Sequence, residues 1–266
     1  MTHALFSVPF RWRHIAVRLL PLFTVALFIF SLFITHAAYG HAPTANMEQQ
    51  SAFTCATVTE IPRNECEALV ALYQSTNGSA WTGAADWLTT NQPCRWFGVV
   101  CQANQVIQID LHSKRLIGEL PAAIGQLSKL QHLDLFNNQL HGVIPDTLAE
   151  LPLQSLNLGQ NQLSGVLPAA LGKLITLQSL NVGDNPTLKG PLPVTLSNLG
   201  NLHTLLFANT ELCEPTEESF QQWMAAIKRV QSSERQCGSD VGLLAVYFLA
   251  FDNNPEDVDI NLTPHY

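Results

Sequence analysis

Positive charge is scarce in this chain of 266 residues: 13 Lys and Arg stand against 21 Asp and Glu, and charged residues make up only 13% of the whole. A nucleic-acid backbone is bound by Lys and Arg gathered on one face, so an acidic chain with no basic patch after its first twenty residues argues against a nucleic-acid partner. Long apolar runs are also few. The run at 242–251 is too short to span a bilayer. No C-x-x-C occurs, and the cysteines fall in groups at opposite ends of the repeated region, which weakens a zinc site as their purpose. Hydrophobic residues, by contrast, make up 47% of the chain, ample for a buried core, and disorder throughout is excluded.

The first forty residues read as an export signal. Arg11, Arg13 and Arg18 form a positive start, residues 19–34 are apolar except for Pro21, Thr24 and Ser31, and Ala38-Tyr39-Gly40 places small residues at a cleavage point. Cleavage is expected after Gly40, with 41–54 as a linker. The same stretch, if retained, is a membrane anchor. The six cysteines agree with export to an oxidising compartment, because they come in local twos: Cys55 and Cys66, Cys94 and Cys101, Cys213 and Cys237. Six cysteines allow 15 pairings, of which the sequential one, with short loops stapling the two ends of a stack, is favoured.

One pattern recurs from Val106 to Leu212, with copies starting at Val106, Leu130, Leu153, Leu177 and Leu202. Its clearest copy is Leu130-x-x-Leu133-x-Leu135-x-x-Asn138-x-Leu140-x-Gly142-x-Ile144-Pro145, and residues 153–168 repeat it position for position. Within each copy x-L-x-L alternates as a strand does, leucines inward and the intervening residues outward. One such strand cannot bury its own face. Stacking coil on coil at about 4.8 Å makes a continuous parallel sheet and a shared core. Asn138, Asn161 and Asn185 fall where the chain leaves the strand, where a buried amide satisfies backbone groups of adjacent coils. The Gly-x-[Ile/Leu]-Pro that follows cannot continue a regular helix, so short extended or 3₁₀ pieces are expected there.

These residues resemble the plant-type leucine-rich repeat, whose consensus LxxLxLxxNxLxGxIPxxLxxLxx is matched by residues 130–200. Pro93-Cys94-Arg95-Trp96-Phe97-Gly98-Val99-Val100-Cys101 looks like that family's N-terminal cap element CxWxGVxC. A helix is expected before it through residues 67–73, opened by Asn64 with Glu67 three residues on in the manner of a capping box. Trp81, Trp87 and Trp96 are read as core of that cap, against the alternative of a platform for a sugar. Past Cys213, the residues Phe220, Trp223, Met224 and Ile227 mark a terminal helix that closes the last coil. The resemblance implies an α/β repeat fold: a right-handed leucine-rich-repeat solenoid with a parallel β-sheet on its concave side, 3₁₀ or extended pieces on its convex side, and helical caps. The cap is expected at 55–105, the repeats at 106–212, the C-terminal cap at 213–237 and a tail at 238–266. Two departures stand out: an extra residue at Asn185-Pro186-Thr187-Leu188, predicting a local bulge, and Thr210 where the asparagine belongs, marking the end of the stack.

The outward strand positions line up in columns across a rigid sheet and are the place for recognition. The first is Gln108, His132, Ser155, Ser179, Thr204; the second Asp110, Asp134, Asn157, Asn181, Leu206. The third is His112, Phe136, Gly159, Gly183, Ala208, and the fourth Ser113, Asn137, Gln160, Asp184, Asn209. Phe136, an exposed aromatic ringed by His112, His132 and Asp134, is the expected anchor for a ligand, against the alternative that it fills a dent in the sheet. Asp110 and Asp134 are stacked carboxylates that need a positive neighbour, with His112 and His132 close by. A metal ion there is the lesser reading, since exposed His and Asp on a sheet are commonly solvated, and no metal or cofactor is expected. Ser155, His132 and Asp134 have the residue types of a hydrolytic triad, but an open face offers no oxyanion hole.

The expected function is that of a secreted or cell-surface recognition module, not an enzyme, that binds an extracellular protein, peptide or polysaccharide. Membrane contact is expected only through the N-terminal segment. The resemblance adds receptor ectodomains and inhibitors of pectin-degrading enzymes as analogues. A structural or adhesive surface protein is the alternative. Asn77-Gly78-Ser79 and Asn261-Leu262-Thr263 have the form of glycosylation acceptors, and 257–261 mimics the start of a calcium loop without its glycine.

Overall fold

The computed structural model describes residues 53–238. The export segment, the linker as far as residue 52, the tail from 239, the triplet at Asn261 and the 257–261 stretch lie outside the described residues. The chain enters through helix α1 (Arg63–Ser75), which buries Cys66, Ala68, Leu69 and Leu72. No capping box opens it. Pro62 is the N-cap and has no side chain to offer, so Asn64 falls inside the first turn and donates instead to the Gln126 carbonyl at 3.3 Å, while Glu67 pairs with Arg63.

Behind this helix Trp81, Trp87 and Trp96 form the cap's core, with ring centres 5.0 and 4.9 Å apart along the series. Each buried indole N–H has an acceptor: Thr76 O, Phe97 O and Thr90 O respectively. That removes the cost of burying a polar N–H inside an aromatic cluster.

Strands β1 (Val99–Gln102) and β2 (Gln105–Asp110) pair antiparallel and start the main sheet. Each coil then contributes alternately to two sheets through β3 (Ile117–Glu119), β4 (His132–Asp134), β5 (Gln139–Gly142), β6 (Ser155–Asn157), β7 (Gln162–Gly165), β8 (Ser179–Asn181), β9 (Thr187–Pro191), β10 (Thr204–Leu206) and β11 (Glu211–Cys213). After helix α2 (Glu218–Ala225) comes β12 (Arg229–Gln231). The main sheet has seven strands in the order β1-β2-β4-β6-β8-β10-β12, and five strands line up as β11-β9-β7-β5-β3 on the other side of the turn. Between them run single 3₁₀ turns such as Ala122–Gln126 and Asp146–Glu150, each entered from a proline that fixes φ and lacks an N–H to waste.

The core is the leucine set read from the repeat: Leu130, Leu133, Leu135, Leu153, Leu156, Leu158, Leu177 and Leu180 are all buried. The buried asparagines hold the coils together. The Asn138 carbonyl accepts from Lys114 N and Leu116 N, while its amide donates to Leu111 O and Leu135 O. One and two coils on, Asn161 accepts from Leu140 N and Asn185 from Leu163 N, and their amides donate to Leu135 O and Leu158 O across coils. Thr210 is shorter. Its hydroxyl donates to Phe207 O and accepts from Leu212 N, both within its own coil, so the cross-coil ladder stops there.

The extra residue at 185–188 is taken up in a turn closed by Leu188 N on Asn185 O at 3.1 Å, with Asn185 still buried. At the far end α2 buries Phe220 and Met224, while Ile227 is buried just beyond the helix rather than on it. The three sequential disulfides are formed: Cys55–Cys66, Cys94–Cys101 and Cys213–Cys237.

Candidate functional site

Parallel pairing places the outward residues of the main sheet in the columns that the repeat dictates. His132 lies between Gln108 and Ser155, and Asp134 between Asp110 and Asn157, with Ser179 and Asn181 next, then Thr204 and Leu206. The columns run one strand further than the repeat does. β12 sets Arg229 beside Thr204 and Gln231 beside Leu206, adding a positive charge at the C-terminal end. The sequence holds a signal for it: the step that separates Ser179 from Thr204 also separates Thr204 from Arg229, but the polar stretch around Val230 hides the strand.

The second column has a structural duty besides any role in binding. Asp134 Oδ1 accepts from Phe136 N at 2.9 Å, Asn181 Oδ1 from Gly183 N at 3.0 Å, and Asp110 and Asn157 make the same turn with His112 N and Gly159 N. A side-chain oxygen bonded to the N–H two residues on is what Asp and Asn do where a chain leaves a strand. Asn181 also donates across coils to Asn157 Oδ1 at 2.9 Å. At Asp110 and Asp134 a second carboxylate oxygen remains for a ligand, and among the described residues no Lys or Arg forms an ion pair with either.

His112 Nδ1 lies 2.6 Å from Asp110 Oδ1. One donor atom from each of Asp110, His112 and Asp134 falls within 4.8 Å of the others, a spacing compatible with a small cation, although exposed acidic groups commonly stand so without one. His132 joins neither: among the described residues no hydrogen bond links its ring to Asp134 or to Ser155, so the links of a hydrolytic relay are not made.

In the third column Phe136 is half-buried rather than exposed. The next two positions, Gly159 and Gly183, are buried, and a β-carbon on Gly159 would meet the Asn181 amide nitrogen at 2.6 Å. The strip from Gly159 to Ala208 is therefore low, with Phe136 standing at one end of it. The fourth column holds the turn itself. Ser113, Asn137, Gln160, Asp184 and Asn209 all have φ between 52° and 57°, the left-handed region where short polar side chains are tolerated. Asn137 donates to Ser113 Oγ at 2.8 Å and Asn209 to Asp184 Oδ1 at 2.6 Å, so Asn137 and Asp184 are engaged with their own column, while Gln160 is exposed.

Among the described residues no helix is long and apolar enough to cross a membrane. The family described as leucine rich repeat N-terminal domain matches residues 62–102, and that described as Leucine Rich Repeat matches 129–151 and 152–174. The LRR receptor-like serine/threonine-protein kinase GSO2 of Arabidopsis thaliana is 39% identical over 121 residues, which are 44% of this chain and 10% of that protein. The LRR ectodomain of the membrane receptor kinase GASSHO1/SCHENGEN3 from Arabidopsis thaliana, solved with CASPARIAN STRIP INTEGRITY FACTOR 2, is 32% identical with a TM-score of 0.57, over 63% of this chain and 21% of that one. The BIR2 ectodomain from the same plant is 29% identical with a TM-score of 0.54, over 67% of this chain and 99% of that one. The chain thus spans a small fraction of the large receptors it matches and nearly the full length of a short ectodomain. With its repeat core, its cysteine-closed cap and these likenesses, the chain is a leucine-rich-repeat solenoid of the kind found in plant receptor ectodomains.

Proposed function

We propose that the concave sheet is an extracellular recognition surface for an extended peptide segment of another protein, laid across the strands beside Phe136. The observation that carries this reading is the polarity of the columns: Asp110 and Asp134 stand at one end, Arg229 at the other, and the low strip past Phe136 runs between. From β2 to β12 the sheet takes five interstrand steps, roughly 24 Å at about 4.8 Å each, the reach of about seven extended residues. A rigid polar sheet offering several hydrogen bonds and one aromatic anchor suits such a ligand. The receptor ectodomain solved with CASPARIAN STRIP INTEGRITY FACTOR 2 supports the reading by its likeness. Export through the first forty residues belongs to the same proposal, as do the cap, repeat and tail boundaries read from the sequence.

Selection of random heptapeptides on the exported chain tests it. Enriched peptides should carry a basic group towards one end and a carboxylate towards the other. Asp110→Asn with Asp134→Asn should relax the first preference, Arg229→Gln the second, and Phe136→Ala should weaken all binders about tenfold or more. No enrichment, or binding indifferent to these changes, overturns the proposal; capture of neutral oligosaccharides in its place would move the ligand to another class.

A further inference from the structure

Away from the concave face the solenoid carries an apolar ridge that the repeat does not require. The residue between the glycine and the following Ile or Leu of each coil points outward. It is Glu119 in the first coil but Val143 and Val166 in the next two, which are 62% and 61% exposed. The ridge is continuous. A β-carbon on Gly165 would meet Val143 Cγ1 at 3.2 Å and one on Gly190 would meet Val166 Cγ1 at 3.3 Å, so each valine lies over the glycine backbone of the next coil. It ends at exposed Pro191 and at Val194, 51% exposed.

There it opens into a groove of about 310 Å³ lined by Leu192, Pro193, Val194, Pro215, Thr216 and Cys237, among others. The chain is brought to this groove and fixed there. Glu214 N donates to Arg235 O at 2.7 Å, Cys237 N donates to Glu214 O at 2.9 Å, and Cys237 is bonded to Cys213. Four residues beyond Gly238 begins the run Gly242-Leu243-Leu244-Ala245-Val246-Tyr247-Phe248-Leu249-Ala250-Phe251, which has no charge and no polar side chain except the Tyr247 hydroxyl.

We infer that residues 242–251 dock along this groove and ridge, covering Val194 and Val166 with the chain's own tail. The four steps from Gly238 to Gly242 reach up to about 14 Å, and the run itself, if extended, about 33 Å. The ridge from Val194 to Val143 crosses only two coil spacings, about 10 Å, so length imposes no limit. A second copy of the chain competes poorly for the same surface, because a segment tethered four residues away is present at millimolar effective concentration. The apolar character of both partners supplies the attraction. The inference is independent of what binds the concave face.

Hydrogen–deuterium exchange on the exported chain tests it. The amides of 243–251 should exchange at least about tenfold more slowly than those of a free peptide of the same sequence. The double variant Val166→Glu with Val194→Glu, whose side chains face outward and leave the core untouched, should return them to the free-peptide rate without lowering the melting temperature. Removing everything after Gly238 should raise the binding of an apolar dye, and Val166→Glu should remove that rise. Free-peptide rates in the unaltered chain, protection that survives the double variant, or protection that appears only with rising protein concentration or on adding phosphatidylcholine vesicles would each overturn it.

Discussion

The backbone N–H of Val106, the first core position of the first coil, donates to the Glu65 carboxylate of the cap helix at 2.8 Å. This bond ties the cap to the start of the sheet, and it is an ionisable group that makes it. Glu65 is buried, and its other oxygen, Oε1, has no hydrogen-bond partner among the described residues. Burial raises its pKa above the ordinary value of 4.5, and the Val106 N–H offsets part of that rise.

A carboxyl whose pKa is higher folded than unfolded favours the folded state in its protonated form. Its contribution is greatest below 4.5 and is lost as pH rises through the raised folded value. Glu65→Gln keeps an oxygen for Val106 N–H and removes the charge. Chemical unfolding of both proteins from pH 4 to 7 should give a stability difference that shifts in favour of the variant as pH rises. A difference that is flat with pH, or of opposite slope, would show that Glu65 is ionised at little cost.

Most of the scaffold was legible because a solenoid writes its core in fixed spacing: the leucine rows and the asparagine ladder sit where Leu130 to Pro145 and its copies place them. What escaped lies where local chemistry differs from the period. The five short strands beginning at Ile117–Glu119 escaped because they carry so little apolar pattern: Gln139–Gly142 buries one leucine and Ile117–Glu119 buries no residue at all. A capping box at Asn64 looked right by residue type, but Pro62 sets the helix start two residues earlier than that reading requires. At the concave face, column membership was readable and engagement was not. Asn137 and Asp184 share a column with Gln160, yet only coordinates reveal that the first two are bonded to Ser113 and Asn209.

The ladder asparagines should be far more sensitive than their neighbours. Asn161 accepts from Leu140 N and donates to Leu135, Leu158 and Gly159 carbonyls, all around a buried side chain. Asn161→Ala leaves the buried Leu140 N–H without its acceptor and takes one of two donors from each of the Leu135, Leu158 and Gly159 carbonyls, at a cost of about 2 kcal/mol. Asn137→Ala removes one exposed bond and relies on a left-handed backbone, so about 1 kcal/mol is expected. Denaturant midpoints for the two variants check the ordering, which equal losses would contradict.

The bond between Cys213 and Cys237 closes a loop with a sequence separation of 24 and pins α2 over the last coil. Replacing both by serine should cost about 3 kcal/mol by loop entropy alone. The loss should be local. Amide exchange should rise first in β12 and α2, with the Asn138 and Asn161 coils unchanged, because each coil contacts only its neighbours. Uniform loosening along the chain would show that the solenoid melts as one unit.

Gly159 and Gly183 occupy the same column in successive coils, but their surroundings differ. A β-carbon on Gly159 would lie 2.6 Å from the Asn181 amide nitrogen, which is already committed to Asn157, so the Asn181 side chain must swing and break that bond. On Gly183 the nearest atoms are Ala208 O and Asn181 Oδ1 at 3.3 and 3.4 Å, close but not overlapping. Gly159→Ala should therefore cost about 1–2 kcal/mol. Gly183→Ala should be near neutral, since the crowding is offset by the reduced freedom of the unfolded chain. If the low strip is the ligand's path, Gly159→Ala should also weaken a selected heptapeptide more than Gly183→Ala does, because it moves Asn181 as well as raising the floor. Titration of both variants with one such peptide decides the matter: equal affinities would mean that the ligand does not pass over this part of the sheet.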